Sequence, residues 1–482
     1  MLPQGSYNKI TKAEFGNLTN NLDNDNSYRT STISQNQVLG NDYRYLNCWN
    51  PKVNDISSYY SIQNKYLGKF ANSMQNIQFE ANYPLRQFND RSIINNFLGV
   101  KYLFVQSNQP NAKKIPGNYF VDAADRQNTY TNKQILRYTT ENAFPLVYFQ
   151  DQVFTSKSYS KLSPTEKERA LADGVLVNEK TNLPKASVKN QIFSIPYKII
   201  SSNGNIINPN KLQQLDPNES YQIVIDKKNL NATQKAALKN CELHLEFENI
   251  NYTPLSLMQQ VNLQQSDSDH QLSNGFLNKD AAVNTYKFWR KNILNGTPNS
   301  GFTIQTTTNL GTESIKQPKP YILSFFKTVK NGTINLGYFE NQIPSSIKLN
   351  LKELGNYSFK LNVVAEPLNQ KYEQQVRKIQ QNKLKNATYT NSGFKGTINV
   401  SHDGILTSSI PYSSGWSATV DGHSVKVLRT NQAFLGIKLK AGSHKIIFKY
   451  QTPGLLLGII ISSLGLCISM ICFMIRQIRL NK

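Results

Sequence analysis

The sequence predicts a mixed α/β region, then an all-β sandwich or jelly-roll-like module, then one C-terminal transmembrane helix. Three observations predict this class. A charge-free apolar run stands at Leu455–Ile475. Short apolar segments follow one another from Gly396 to Tyr450, punctuated by Asp421-Gly422 and Ala441-Gly442. Upstream, helix-spaced and strand-like segments alternate, as at Ser92–Val105. The expected organisation is an α/β region at 1–185, a β-rich α+β region at 186–390, a β-sandwich at 391–452, a membrane helix at 453–476 and a tail at 477–482.

The elements follow in chain order. Residues 1–90 are polar and rich in Tyr and Asn, with a hint of structure at Ser57–Ile62. Ser92–Leu98 has helical spacing and meets Gly99, a residue suited to a left-handed cap. Val100–Val105 then reads as a short apolar strand, and Phe144–Phe149 as another. Ser163, Pro164 and Glu166 form a capping-box signature, with serine at the N-cap, proline at the first helical position and glutamate at the third. That signature announces structure and not chemistry. Strands are expected at Ile192–Ile200, Tyr221–Ile225 and Leu243–Ile250. In the last, near-alternation places His244 on a solvent face. A polar stretch at 260–300 carries the aromatic cluster Tyr286, Phe288 and Trp289. Strands resume at Tyr321–Phe326, Thr333–Phe339 and Tyr357–Val364. Leu368, Tyr372, Val376 and Ile379 recur at helical spacing, predicting an amphipathic helix packed on a sheet.

From Gly396 the strands are expected near Gly396–Val400, Gly404–Ile410, Trp416–Val420, Ser424–Leu428, Phe434–Leu439 and Gly442–Tyr450. Asp-Gly between two apolar runs is a strong hairpin signal. Strand spacing of this kind points to a sandwich or jelly roll.

The apolar run has 21 residues. At about 1.5 Å per residue it spans about 31 Å, the thickness of a hydrocarbon core. Pro453-Gly454 marks its entry, and Tyr450 suits the interface. Arg476, Arg479 and Lys482 follow it, and positive residues there favour the cytoplasmic side. The bulk of the chain is therefore expected outside the cytoplasm, with the lipid bilayer as a partner. The N-terminus lacks the apolar core of a signal peptide. Two topologies account for this: a tail-anchored protein facing the cytoplasm, or the last part of a polytopic protein.

The chain of 482 residues carries 54 Lys+Arg against 31 Asp+Glu, a net charge of +23. Such an excess favours anionic partners. The basic residues are scattered and no nucleic-acid-binding motif accompanies them, so nucleic acid is not an expected partner. Cys467 and Cys472 lie in the apolar run, while Cys48 and Cys241 lie in the polar part and leave one disulfide open. The histidines at 244, 270, 402, 423 and 444 show no metal-ligand spacing, so no metal site is expected. No P-loop, dinucleotide fingerprint or G-x-S-x-G elbow occurs, and no cofactor is expected. Asp267, Asp269, Glu340 and Glu353 could contribute a hydrolytic pair, but spacing selects none of them.

The stretch Ser409–Gly422 contains Ile410-Pro411-Tyr412, Gly415-Trp416 and Val420-Asp421-Gly422. It resembles a signature of the bacterial YfhO-type membrane proteins. The segments Asn96–Tyr102, Leu162–Leu176 and Gln451–Gly454 are similar to further parts of that family, so the resemblance covers most of the chain. It implies a polytopic, GT-C-like glycosyltransferase that takes sugar from a polyprenyl-phosphate carrier and modifies envelope polymers such as lipoteichoic or wall teichoic acid. In that reading this chain is an extracytoplasmic accessory domain and last membrane helix. The catalytic membrane half is missing, the chain is not active alone, and no catalytic residue is carried over. The other reading is a non-enzymatic, membrane-anchored surface protein that binds carbohydrate or a partner protein. Tyr412 and Trp416, with Asp421, are candidates for stacking on and orienting a sugar; a structural turn accounts for the same residues.

Overall fold

The computed structural model describes residues 15–19, 22, 27–33, 54–56, 64–77, 88, 90–107, 109, 111–128, 133–188, 192–216, 218–256, 259, 301–318 and 328–480. The expected features at Ser57–Ile62, Tyr321–Phe326 and Tyr286–Trp289, with Cys48, His270, Asp267 and Asp269, lie outside the described residues.

The architecture is the expected one: a mixed α/β part, β-sandwiches and a terminal apolar helix. The α/β part holds a four-stranded sheet in the order Arg29–Ile33, Val100–Gln106, Lys133–Thr139, Phe120–Asn128. Its first pair is parallel and the others are antiparallel. The helix Ser92–Phe97 feeds this sheet through Gly99 at φ +77. A Cβ there would stand 2.8 Å from Leu146 and 3.2 Å from the Phe144 carbonyl. Turn conformation and close packing therefore both select glycine.

Two sandwiches follow. In the first, one sheet runs through Tyr197–Ser201, Tyr221–Ile225, Ser346–Leu351, Phe302–Thr307 and Thr312–Gln317. Its partner is built on Cys241–Pro254 and Gly355–Pro367, flanked by Gly332–Phe339. Alternating residues such as Leu243, Leu245, Phe247, Ile223 and Ile304 fill the space between them. The strands at 302–307, 312–317 and 346–351 were not expected from the sequence.

In the second sandwich one sheet is Lys385–Thr390, Gly393–Val400, Gly442–Tyr450, Trp416–Val420 and His423–Val425. Its facing sheet takes strands from both sides of residue 391: Val147–Gln150 pairs with Gly404–Pro411, which pairs with Phe434–Leu439. Leu146, Val147 and Phe149 share a core with Leu406, Ile437 and Phe448.

A helical layer joins these bodies. The helix Pro164–Asp173 begins with the expected capping box, Ser163 and Glu166 each bonding the other's backbone. The helix Gln370–Gln381 buries Tyr372, Val376 and Ile379 as its periodicity required. Phe70, Phe97 and Phe434 meet in the core of this layer.

The apolar helix runs from Leu455 to Leu480, past the expected end at 475, and takes in Arg476 and Arg479. None of its length is buried against protein. The charge-free stretch Leu455–Ile475 is long enough to be satisfied by lipid.

Candidate functional site

The three residues singled out in the sequence lie at different places. Tyr412 closes the bulged strand Gly404–Pro411. Its N–H donates to Ala433 O at 2.7 Å, and its carbonyl accepts from Asn64 Nδ2 at 2.8 Å. Its ring meets Tyr66 edge-on at 5.4 Å. Nearby, the half-buried Arg29 guanidinium donates to Leu98 O at 2.5 Å and to Ser409 Oγ at 2.8 Å. Burial brings its pKa down to about 10. The signature segment is thus gripped by its backbone.

Trp416 is half-buried and stands opposite Tyr450, with ring centroids 5.3 Å apart. Tyr450 lies five residues before the membrane helix begins. Gly415 O accepts from Gln451 N at 3.0 Å, and a Cβ on Gly415 would lie 2.1 Å from Gln451 O. Gly415 and Trp416 therefore form a collar around the root of the helix, at the level where aromatic residues suit a membrane interface.

Asp421 sits at the other end of the Trp416 strand, in a two-residue turn with φ +52 at Asp421 and +87 at Gly422. Positive φ at both positions is the type I′ geometry. Its carboxylate accepts from His444 Nδ1 and Lys445 N, both at 2.7 Å, and His444 Nε2 donates to Lys440 O. The Asp421 hydrogen bond raises the His444 pKa, and the same bond lowers that of Asp421. The signs are opposite. The histidine contribution is full below its ordinary value near 6.5 and fades as pH rises through the raised one. The aspartate contribution is full above its ordinary value near 3.9 and fades as pH falls through the lowered one. His444 is expected to titrate above the usual imidazole value by NMR, and D421N to bring it back. An unchanged midpoint in D421N would remove the pair from the account.

An open groove of about 680 Å³ is lined by Tyr28, Lys101, Glu141, Lys383, Lys385 and Tyr389 among others. Its wall is fixed by Gln380 Nε2, which donates to Glu141 O at 2.6 Å and Ala143 O at 3.0 Å. Lys101 Nζ stands 5.9 Å from the Tyr28 ring and 5.4 Å from the Tyr102 ring. Tyr389 lies at the end of the strand Lys385–Thr390, whose turn residue Ser392 accepts from Tyr450 N. Tyr389 thus places one end of the groove near the strand that leads into the apolar helix. It offers three lysines against one carboxylate, with tyrosine faces between them. That combination suits an anionic, hydroxyl-rich polymer. Lys101 belongs to a segment recognised in the sequence, but Lys383, Lys385 and Tyr389 carried no signal, because their common wall exists only after folding.

The strand Cys241–Pro254 corrects the expectation for His244. Cys241–Phe247 is buried on both faces. Leu243, Leu245 and Phe247 face the sandwich core. Glu242, His244 and Glu246 are covered by the Ser92–Phe97 and Pro164–Asp173 helices. Alternation identified two faces correctly, but the polar one is not wet. Glu168, Glu242, His244 and Glu366 bring one ligand atom each to within 4.8 Å of the others. Glu242 and Glu366 stand directly opposite across the sheet. Arg91 Nη1 lies 3.6 Å from Glu168, and Arg169 Nε 3.5 Å from Glu366. Burial pushes the carboxyls of Glu168 and Glu366 up and pulls His244 down. Spacing could not reveal this set, since its members come from three segments. Cys241 is a buried free thiol beside it, and burial pushes its pKa up. Glu353, one of the carboxylates considered for hydrolysis, is instead tied to Thr303 N and Oγ1.

A family model described as bacterial membrane protein YfhO matches residues 13–462. No curated protein matches the chain. Among solved structures, arabinofuranosyltransferase AftD from mycobacteria is similar at 13% identity over 31% of this chain and 11% of that one, with a TM-score of 0.14. Its R1389S mutant gives 14% identity over 31% and 12%, with a TM-score of 0.15. The chain thus spans about an eighth of that protein or less, and no activity follows from likeness of this extent.

Proposed function

The chain belongs to the bacterial membrane protein YfhO family, and from that premise we propose that it is the extracytoplasmic, acceptor-handling part of a GT-C-like glycosyltransferase acting on cell-envelope polymers. The observation that carries this reading is the lysine- and tyrosine-lined groove. Lysines attract the phosphates of a polymer such as lipoteichoic or wall teichoic acid, and tyrosine faces pack on its sugars. The net charge of +23 adds a favourable field at longer range. The positive residues Arg476 and Arg479 support a cytoplasmic tail, and hence an outward domain. The sugar would come from a polyprenyl-phosphate carrier held by a membrane-embedded half outside these residues. No residue of this chain is assigned to the chemical step.

The test is binding of purified lipoteichoic and wall teichoic acid to the full chain in nanodiscs. Binding is expected at low ionic strength and is expected to weaken with salt as the charges are screened. Replacing Lys101, Lys383 and Lys385 together by alanine is expected to weaken it about tenfold, at about 0.5 kcal/mol per exposed contact. No binding at low salt would sink the proposal.

A second reading rests on the groove lining, which contains one carboxylate, Glu141. A single carboxylate suits holding a polymer better than cleaving one, which a non-enzymatic surface protein would do as well as an acceptor-handling domain. Loss of polymer glycosylation in cells lacking the chain separates the two: the transferase reading requires it, and the surface-protein reading does not.

A further inference from the structure

The buried cluster holds more open acceptor atoms than its protein partners satisfy. Neither oxygen of Glu168 and neither oxygen of Glu366 accepts a hydrogen bond. The Ile94 N–H faces Glu168 without reaching hydrogen-bond geometry. The two arginines stand at ion-pair distance, 3.6 Å for Arg91 to Glu168 and 3.5 Å for Arg169 to Glu366, but give their hydrogen bonds to carbonyls: Arg91 to Met74 O and Thr333 O, and Arg169 to Pro367 O. Buried carboxylate oxygens without partners are costly, and such orphans call for an explanation.

The histidine tautomer sharpens the point. Glu246 Oε1 accepts from Ser163 Oγ at 2.9 Å, Thr165 N at 3.0 Å and Thr165 Oγ1 at 2.7 Å. The single Thr165 hydroxyl proton is therefore directed to Glu246. His244 Nδ1, 3.0 Å from the same hydroxyl, must be the donor of that contact. The Nε2 lone pair then points at Glu242 Oε1 across 2.9 Å. Glu242 is already a hydrogen-bond acceptor from Ser92 N and Ser92 Oγ, as an ionised carboxylate would be. A lone pair facing a carboxylate oxygen is repulsive unless a proton or a metal cation lies between them.

We propose that Glu168, Glu242, His244 and Glu366 bind one divalent transition-metal ion of the zinc or manganese class. Three carboxylate oxygens and one imidazole nitrogen form a ligand set these ions accept. At ligand distances of about 2.1 Å, the ligands of a tetrahedral site lie about 3.4 Å apart, so the four atoms, within 4.8 Å of one another, would draw together on binding. The Thr165 hydroxyl and Glu246 orient the imidazole from behind, as second-shell partners do. The ion would fasten the Pro164–Asp173 helix to the two central strands of the first sandwich. This role is structural and independent of the groove.

The test uses the full chain in detergent, stripped with a chelator and reloaded with zinc or manganese alone. One ion per chain is expected by elemental analysis, with a rise in the thermal midpoint on loading. E366Q and E168Q are expected to lower occupancy at least tenfold. Because a buried substitution can impair folding, a second variant, H402A/H423A, removes exposed histidines and is expected to keep the ion. Cobalt loading is expected to give a d–d spectrum without thiolate charge transfer. No stoichiometric ion and no thermal shift in the wild type would overturn the proposal. So would loss of the ion in the surface-histidine variant, or a thiolate band assigning it to Cys241.

Discussion

Phe434→Ala is expected to cost about 3–5 kcal/mol, the range for deleting a large buried ring. Phe434 is 1% exposed and sits where the second sandwich meets the helical layer. Its ring packs edge-on against Phe97 at 4.9 Å and Phe70 at 5.1 Å. The lost contacts therefore belong to two bodies at once, and the void cannot close by moving one side chain. The chain has several cores, so a single unfolding free energy is not the right readout. Hydrogen exchange is. Protection is expected to fall in Lys65–Ser73, Ser92–Phe97 and Phe434–Leu439 together, while the first sandwich keeps its own. Loss confined to the Phe434 strand would show that the junction does not depend on this ring.

Arg169→Ala is expected to be as damaging, for a different reason. The guanidinium is 2% exposed, donates to Pro367 O at 2.5 Å and lies 5.0 Å from the Tyr372 ring centroid. Its removal leaves Glu366 beside Glu242 and Glu168 without the nearest positive charge. Breaking one side of a buried pair costs about 3–5 kcal/mol. The double variant R169A/E366Q is expected to recover part of that loss, because the stranded charge goes too. Arg169→Lys is expected to fall between, since an ammonium keeps the charge but lacks the planar fork and the stacking face. Exchange protection across Pro164–Asp173 and Cys241–Pro254 reads all three. Equal losses in R169A and the double variant would rule out a charge-based origin.

Local signals in the sequence were reliable where short-range physics decides the outcome. Ser163 and Glu166 needed only each other to cap a helix, and they do. Asp421-Gly422 needed only two positive φ values, and it has them. Tyr372, Val376 and Ile379 required one buried helix face and form it, while Leu368, also buried, lies just before the N-cap Asn369. His244 failed because alternation says which residues share a face, not what lies over it. The cover comes from helices some 80 and 150 residues earlier in the chain. The groove failed for the same reason: Lys101 and Lys385 share a wall only in the folded protein. The strand Phe302–Thr307 did carry a legible alternation, Phe302, Ile304 and Thr306 being buried in turn. The polar stretch before it masked that signal.

The facing sheet of the second sandwich also sets an order of events during synthesis. Leu176 N–H donates to Asn431 Oδ1 across 255 residues of chain. At about 5–20 residues per second, roughly 13–50 s separate the two ends. Through that interval Val147–Gln150 and Val175–Val177 exist without the strands that later pair with them. An apolar edge left open that long invites wrong partners or a chaperone. The strand Gly442–Tyr450, central to the other sheet, emerges only just ahead of Leu455–Leu480. Closure of the sandwich and capture of the helix by the membrane must then be nearly simultaneous. A delay in either leaves the other exposed.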